Sequence, residues 1–99
     1  MKDQELKNSV VSVICERIKQ PHYRVFLFGS RAKKSAGERS DYDIGIECEA
    51  PLPLEVLADI RLELSDLPVM QKIDVVDFGR TTEDFRQVAK ERVEYLYKQ

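Results

Sequence analysis

Tyr23-Arg24-Val25-Phe26-Leu27-Phe28-Gly29-Ser30 is separated by ten residues from Asp41-Tyr42-Asp43-Ile44-Gly45-Ile46-Glu47-Cys48. The first segment is an aromatic and β-branched run that reads as a strand. It ends at Gly29, where the missing Cβ permits a sharp turn and close approach of a ligand to the backbone. The second segment alternates. Asp41, Asp43, Gly45 and Glu47 share one face, and Tyr42, Ile44, Ile46 and Cys48 share the other. The apolar face is expected to pack on helices, leaving the acidic face open, with Gly45 making space beside Asp43 for a ligand. Two carboxylates this close repel each other unless a cation lies between them. Ser30 is expected to open a helical turn, whose hydroxyl and free N–H groups suit phosphate oxygens. Together the two segments suggest a divalent metal and a phosphate chain.

At these residues the sequence resembles the minimal nucleotidyltransferases, the smallest members of the DNA polymerase β-like nucleotidyltransferase superfamily. Gly29, Ser30, Asp41 and Asp43 match the G-S-x10-D-x-D signature without a gap. Arg31, Ala32, Ala36 and Ser40 also resemble the commoner form of the motif, whereas Lys34 stands where a glycine is often found. The resemblance extends over nearly the whole chain. It implies a polymerase β-like core and a nucleotide-binding site at Gly29, Ser30, Arg31 and Ser40.

Ninety-nine residues make one small domain, residues 1–99, too short for a separate acceptor-binding or base-binding domain. A hydrophobic fraction of 42 % and a charged fraction of 34 %, with no membrane-length apolar run, describe a soluble globular protein. Met1 leads directly into Lys2-Asp3-Gln4-Glu5, so no secretory signal is read and a cytoplasmic location is expected. A net charge of -2 gives no electrostatic basis for non-specific nucleic-acid binding. Cys15 and Cys48, without a CxxC pair or histidine cluster, read as free thiols rather than zinc ligands. His22, in the link after Pro21, reads as a surface residue.

Apolar spacing predicts a helix over 3–20, with Leu6, Val10, Val13, Ile14 and Ile18 on one stripe and Pro21 beyond its end. Strands are predicted over 23–28, 41–49 and 71–78, and a helix over 54–66 after the break at Pro51 and Pro53. Thr81-Thr82-Glu83-Asp84 reads as a capped helix start. Phe85, Val88, Ala89, Val93 and Leu96 extend it as the stripe of a final helix flanked by Tyr95 and Tyr97. The expected fold is α/β (α+β), a small mixed sheet with helices packed on one face. In the third strand the period-2 rule selects Asp74 as the third acid on the open face, with Asp77 structural, and the family places an acid on such a strand too.

Asp41, Asp43 and Asp74 are therefore the expected metal ligands and catalytic acids. They suit two Mg2+ ions and a nucleoside triphosphate as substrate. Gly29 and Ser30 would position the β- and γ-phosphates, and Arg31 either stabilises the leaving pyrophosphate or lies on the surface. Family resemblance implies AMP transfer from ATP to a tyrosine of a helical HEPN-type toxin, with this chain as the antitoxin. The reading from another class is a non-catalytic antitoxin that neutralises its partner by binding alone. The half-covered sheet also suggests a homodimer.

Overall fold

The computed structural model describes residues 1–29 and 41–99. In chain order it contains α1 (Asp3–Arg17), β1 (Tyr23–Phe28), β2 (Tyr42–Cys48), α2 (Leu54–Ser65) and β3 (Ile73–Asp77). A 3-10 turn (Phe78–Arg80), α3 (Glu83–Ala89) and β4 (Glu94–Lys98) complete it. The strands form one mixed sheet in the order β3-β2-β1-β4. β1 pairs antiparallel with β2 and β4, and β2 pairs parallel with β3. A parallel neighbour requires a crossover connection, and α2 supplies it.

α1 and α2 lie on one face of the sheet. Leu6, Val10 and Ile14 recur every fourth residue on α1, and Leu57, Ile60 and Leu64 do the equivalent on α2. They close over Val25 and Leu27 of β1, Tyr42, Ile44 and Ile46 of β2, and Val75 of β3. Each aliphatic side chain fully buried there contributes about 1.5–3 kcal/mol, so this layer holds the domain together. Cys15 and Cys48 are free thiols at its margin, and burial pushes Cys48 up to about 11, which keeps it protonated. Among the described residues no helix is long and apolar enough to cross a membrane.

The last element corrects the expected final helix. α3 stops at Ala89, and Glu94–Lys98 is a strand on the edge of β1. The 3.6-residue spacing of Phe85, Val88, Ala89 and Leu96 continued the helix on paper. Pairing with β1 and the β-favouring Tyr95-Leu96-Tyr97 run prevail instead. The register shifts between Val25 and Phe26, which face Tyr97 and Tyr95 and leave Leu96 as the extra residue. Such a bulge lets Leu96 and Tyr97 both reach the helix-covered core, where Tyr97 stacks on Tyr23 at 5.1 Å. Tyr95 turns to the other face and meets Phe26 edge-on at 5.7 Å.

That other face is less open than strand alternation alone implies. Phe26, Phe28 and Phe78 form a second buried cluster against which Val76, Ala89 and Val93 pack. Gly45 belongs to this cluster rather than to a ligand space, correcting the role expected of it. A Cβ there would lie 2.4 Å from Phe26 Cε2 and 2.8 Å from Phe78 Cε1. Gly45→Ala is therefore expected to destabilise the domain by about 1–3 kcal/mol, the range for overfilling a packed core. Urea unfolding measures this, and an unchanged midpoint would show that the aromatic cluster is loose.

Candidate active site

The sheet register assembles the acids. On β1 and β2, Phe28 faces Asp43, and on β2 and β3, Asp43 faces Asp74. In a parallel pair, side chains at one level point to one face, so the Asp43 and Asp74 carboxylates stand side by side. Asp41 is exposed immediately before β2. The chain leaves β1 at Gly29 with φ of +71°, in the left-handed region that favours glycine. A Cβ on Gly29 would lie 2.5 Å from Asp43 Oδ2, so the turn is pressed directly against that carboxylate. Gly29→Ala thus meets both backbone strain and the Asp43 side chain, and a loss of about 1–3 kcal/mol is expected. For a domain of this size that lowers Tm by about 4–8 °C per kcal/mol, a shift readily measured by calorimetry.

Asp43 is half-buried, and its pKa is raised above the ordinary 3.8. Burial is the largest cause, followed by the negative charges of Asp74 and Asp41, with Lys72 acting weakly in the opposite direction. Lys72 Nζ is 3.6 Å from Asp74 Oδ1 in an exposed pair, which solvent screens strongly. Among the described residues no three Asp, Glu, His or Cys side chains close around a common point as a ready-made metal site. The acids influence one another electrically without forming a closed shell.

Asp77 lies on the opposite face, in the core, and is 3 % exposed. Its carboxylate accepts the N–H groups of Leu52 at 2.8 Å and Gly79 at 2.9 Å, with Arg80 Nε 3.6 Å away. It caps the 3-10 turn and fastens the approach to α2. Ser30, Arg31 and Ser40, the other expected phosphate-side residues, lie outside the described residues.

Two clefts flank the acids. One, of about 550 Å3, is lined by Phe28, Asp43, Arg61, Asp74, Val76 and Phe85. The other, of about 590 Å3, runs from Gly29 past Phe28, Phe85 and Val88 to Arg92. Phe85 belongs to the helical stripe that reads as core, yet 40 % of the residue is exposed. Arg61, which no sequence motif marks, donates from Nη2 to the Val75 carbonyl at 2.9 Å and so braces β3 beside Asp74. The ion pair of Lys90 with Glu47, 2.8 Å, was equally invisible because it depends on where the chain turns after α3.

Residues 13–99 match the family described as Polymerase beta, Nucleotidyltransferase. The chain is 32 % identical over 90 residues to a probable protein adenylyltransferase MntA of Haemophilus influenzae, covering 91 % of this chain and 76 % of that protein. Its fold is similar to a chain in the complex of a tri-AMPylated Shewanella oneidensis HEPN toxin with MNT antitoxin. There the TM-score is 0.76 at 17 % identity, over 99 % of this chain and 74 % of that one. A toxin-antitoxin structure with AMP-PNP matches with a TM-score of 0.77 at 18 % identity, over 94 % and 73 % of the respective chains.

Proposed function

Since the chain belongs to the polymerase beta nucleotidyltransferase family and is a nucleotidyltransferase of the minimal, MNT type, we propose that it transfers AMP from ATP to a tyrosine hydroxyl of a HEPN-type partner toxin. The observation that supports this most is the convergence of Asp43, Asp74 and the Gly29 turn at one end of the sheet. The residues 1–99 act in this reading as one catalytic domain, with the partner carrying the acceptor.

The donor set is all oxygen, and crowding of the carboxylates disfavours the ionised form of Asp43, an imbalance that a hard divalent cation would relieve. Asp41, Asp43 and Asp74 are therefore the residues that would hold Mg2+, two ions in this reading. Bound magnesium would supply neutralisation of the phosphates and a lowered pKa for the acceptor hydroxyl. Gly29, with Ser30 and Ser40, would seat the triphosphate, and the positive charge of Arg31 would stabilise the departing pyrophosphate. Asp74, beside Asp43 in the sheet register, would accept the hydroxyl proton as the acceptor oxygen bonds to the α-phosphorus and the bond to the β-phosphate breaks.

The Haemophilus relative's description as a protein adenylyltransferase supports a protein acceptor, and the fold-level likeness to toxin-antitoxin complexes supports a partner toxin. The second reading is an antitoxin that acts by binding alone. Incubating the protein with Mg2+, ATP and a candidate HEPN-type partner protein, followed by intact-mass and peptide analysis, separates the two. AMP on a partner tyrosine is the expected result. A tight complex with an unmodified partner would establish binding alone.

A further inference from the structure

Phe85 is the wall shared, together with Phe28, by the cleft at the acids and the cleft at Gly29. Phe26, Phe28 and Phe78 are buried, but Phe85 keeps 40 % of its surface exposed. Its ring meets Phe28 edge-on at 6.1 Å and Phe78 at 5.6 Å, so buried aromatics support it from behind. The backbone beneath it is fixed as well. Thr82 Oγ1 accepts the Phe85 N–H at 3.1 Å, and Arg86 Nη1 donates to the carbonyls of Phe78 and Thr81 at 3.2 and 2.5 Å. Lys90 holds the far end of α3 to Glu47. One turn on, Val88 continues the apolar lip at 68 % exposure. A rigid, supported aromatic with a free surface beside a phosphate-handling site has the properties of a stacking platform.

We propose that Phe85 stacks against the nucleobase of the triphosphate, giving base affinity with little base selectivity. The inference rests on the nucleotidyltransferase reading of the acids and extends it to substrate recognition. Stacking uses the π-face that every base possesses, so this contribution discriminates little among bases, and any reading of a base edge falls to polar residues of the same cleft, Glu91 and Arg92. A partner helix laid across the same lip is the competing occupant. The triphosphate is favoured because Phe85 walls both the cleft of Asp43 and Asp74 and the cleft of Gly29, the groups read as handling phosphate.

The test is calorimetric binding of ATP, GTP, CTP and UTP, and of tripolyphosphate as the ligand without a base, to wild type and to Phe85→Leu, Phe85→Ala and Phe85→Tyr, all with Mg2+. Loss of stacking is expected to weaken all the nucleotides about 5- to 100-fold in Phe85→Leu, which keeps the apolar packing. Tripolyphosphate affinity should stay unchanged, and Phe85→Tyr should restore nucleotide binding. Equal weakening of ATP and tripolyphosphate, or unchanged ATP, would overturn the platform, as would unchanged nucleotide affinity with a weakened toxin complex. Wild-type protein that binds no nucleotide would overturn the catalytic reading and this inference together. Wild-type turnover that is indifferent to Phe85 would overturn only the latter.

Discussion

Asp43→Asn is expected to abolish nucleotidyl transfer, by at least about 100-fold, while making the ligand-free protein more stable at neutral pH. Both effects come from one environment. Burial and the charges of Asp74 and Asp41 disfavour ionisation of Asp43, raising its folded-state pKa above the unfolded value near 3.8. The stability associated with the protonated form is fully present below that unfolded value. It is lost as pH rises through the higher folded value, so above it the wild type carries an electrostatic strain that the asparagine variant lacks. Thermal scans from acid to neutral pH should show wild type and variant converging at low pH and separating as pH rises, with the variant higher. Adding Mg2+ with nucleotide should raise the wild-type Tm and leave that of the variant unmoved. A variant less stable than wild type at every pH would mean that Asp43 supports the fold, contrary to this account.

Asp77→Ala is expected to do the reverse, destabilising the domain by about 2–4 kcal/mol while leaving transfer per folded molecule within about threefold of wild type. The buried carboxylate is the acceptor for two backbone N–H groups, those of Leu52 and Gly79. Alanine leaves both without a partner, and the loss of a cap adds to the effect. Asp77→Asn retains an acceptor oxygen and should recover part of the stability. Active-site titration with labelled nucleotide, combined with denaturant unfolding, separates folded fraction from turnover. Asp74→Asn should give the opposite pattern, near-normal stability with little turnover. If Asp77→Ala instead removed turnover at full stability, the face assignment of β3 would be inverted.

These contrasting expectations for Asp74 and Asp77 show how much of the site was legible in the chain. Period-2 alternation needs no tertiary information, so Ile73 and Val75 place Asp74 opposite the core and Ile44 and Ile46 do the same for Asp43. The structure puts both acids on that face. The Thr82 cap was equally legible, because an N-cap is a local arrangement of side chain and backbone. β4 was not. Phe85, Val88, Ala89 and Leu96 satisfy helical spacing, and the edge of β1, a feature of the assembled sheet, tips the β-favouring Tyr95-Leu96-Tyr97 run into a strand over 94–98. The role of Gly45 is hidden in the sequence for a related reason. Its neighbours Phe26 and Phe78 are distant in sequence, and nothing near Gly45 announces that two rings will occupy the space it leaves. Phe85 shows the same limit, since the spacing that marks a core stripe does not reveal which member of the stripe stays exposed.

The acids at the start of β2 and β3 are expected to transfer a nucleoside monophosphate. The measurement that tests it most directly compares α-labelled with γ-labelled ATP, given with Mg2+ and the proposed HEPN-type partner to wild type and to Asp43→Asn. The predicted result is α-label on the partner, γ-label released in pyrophosphate, and neither with the variant. Transfer of γ-label, or α-label transferred equally well by Asp43→Asn, would contradict it.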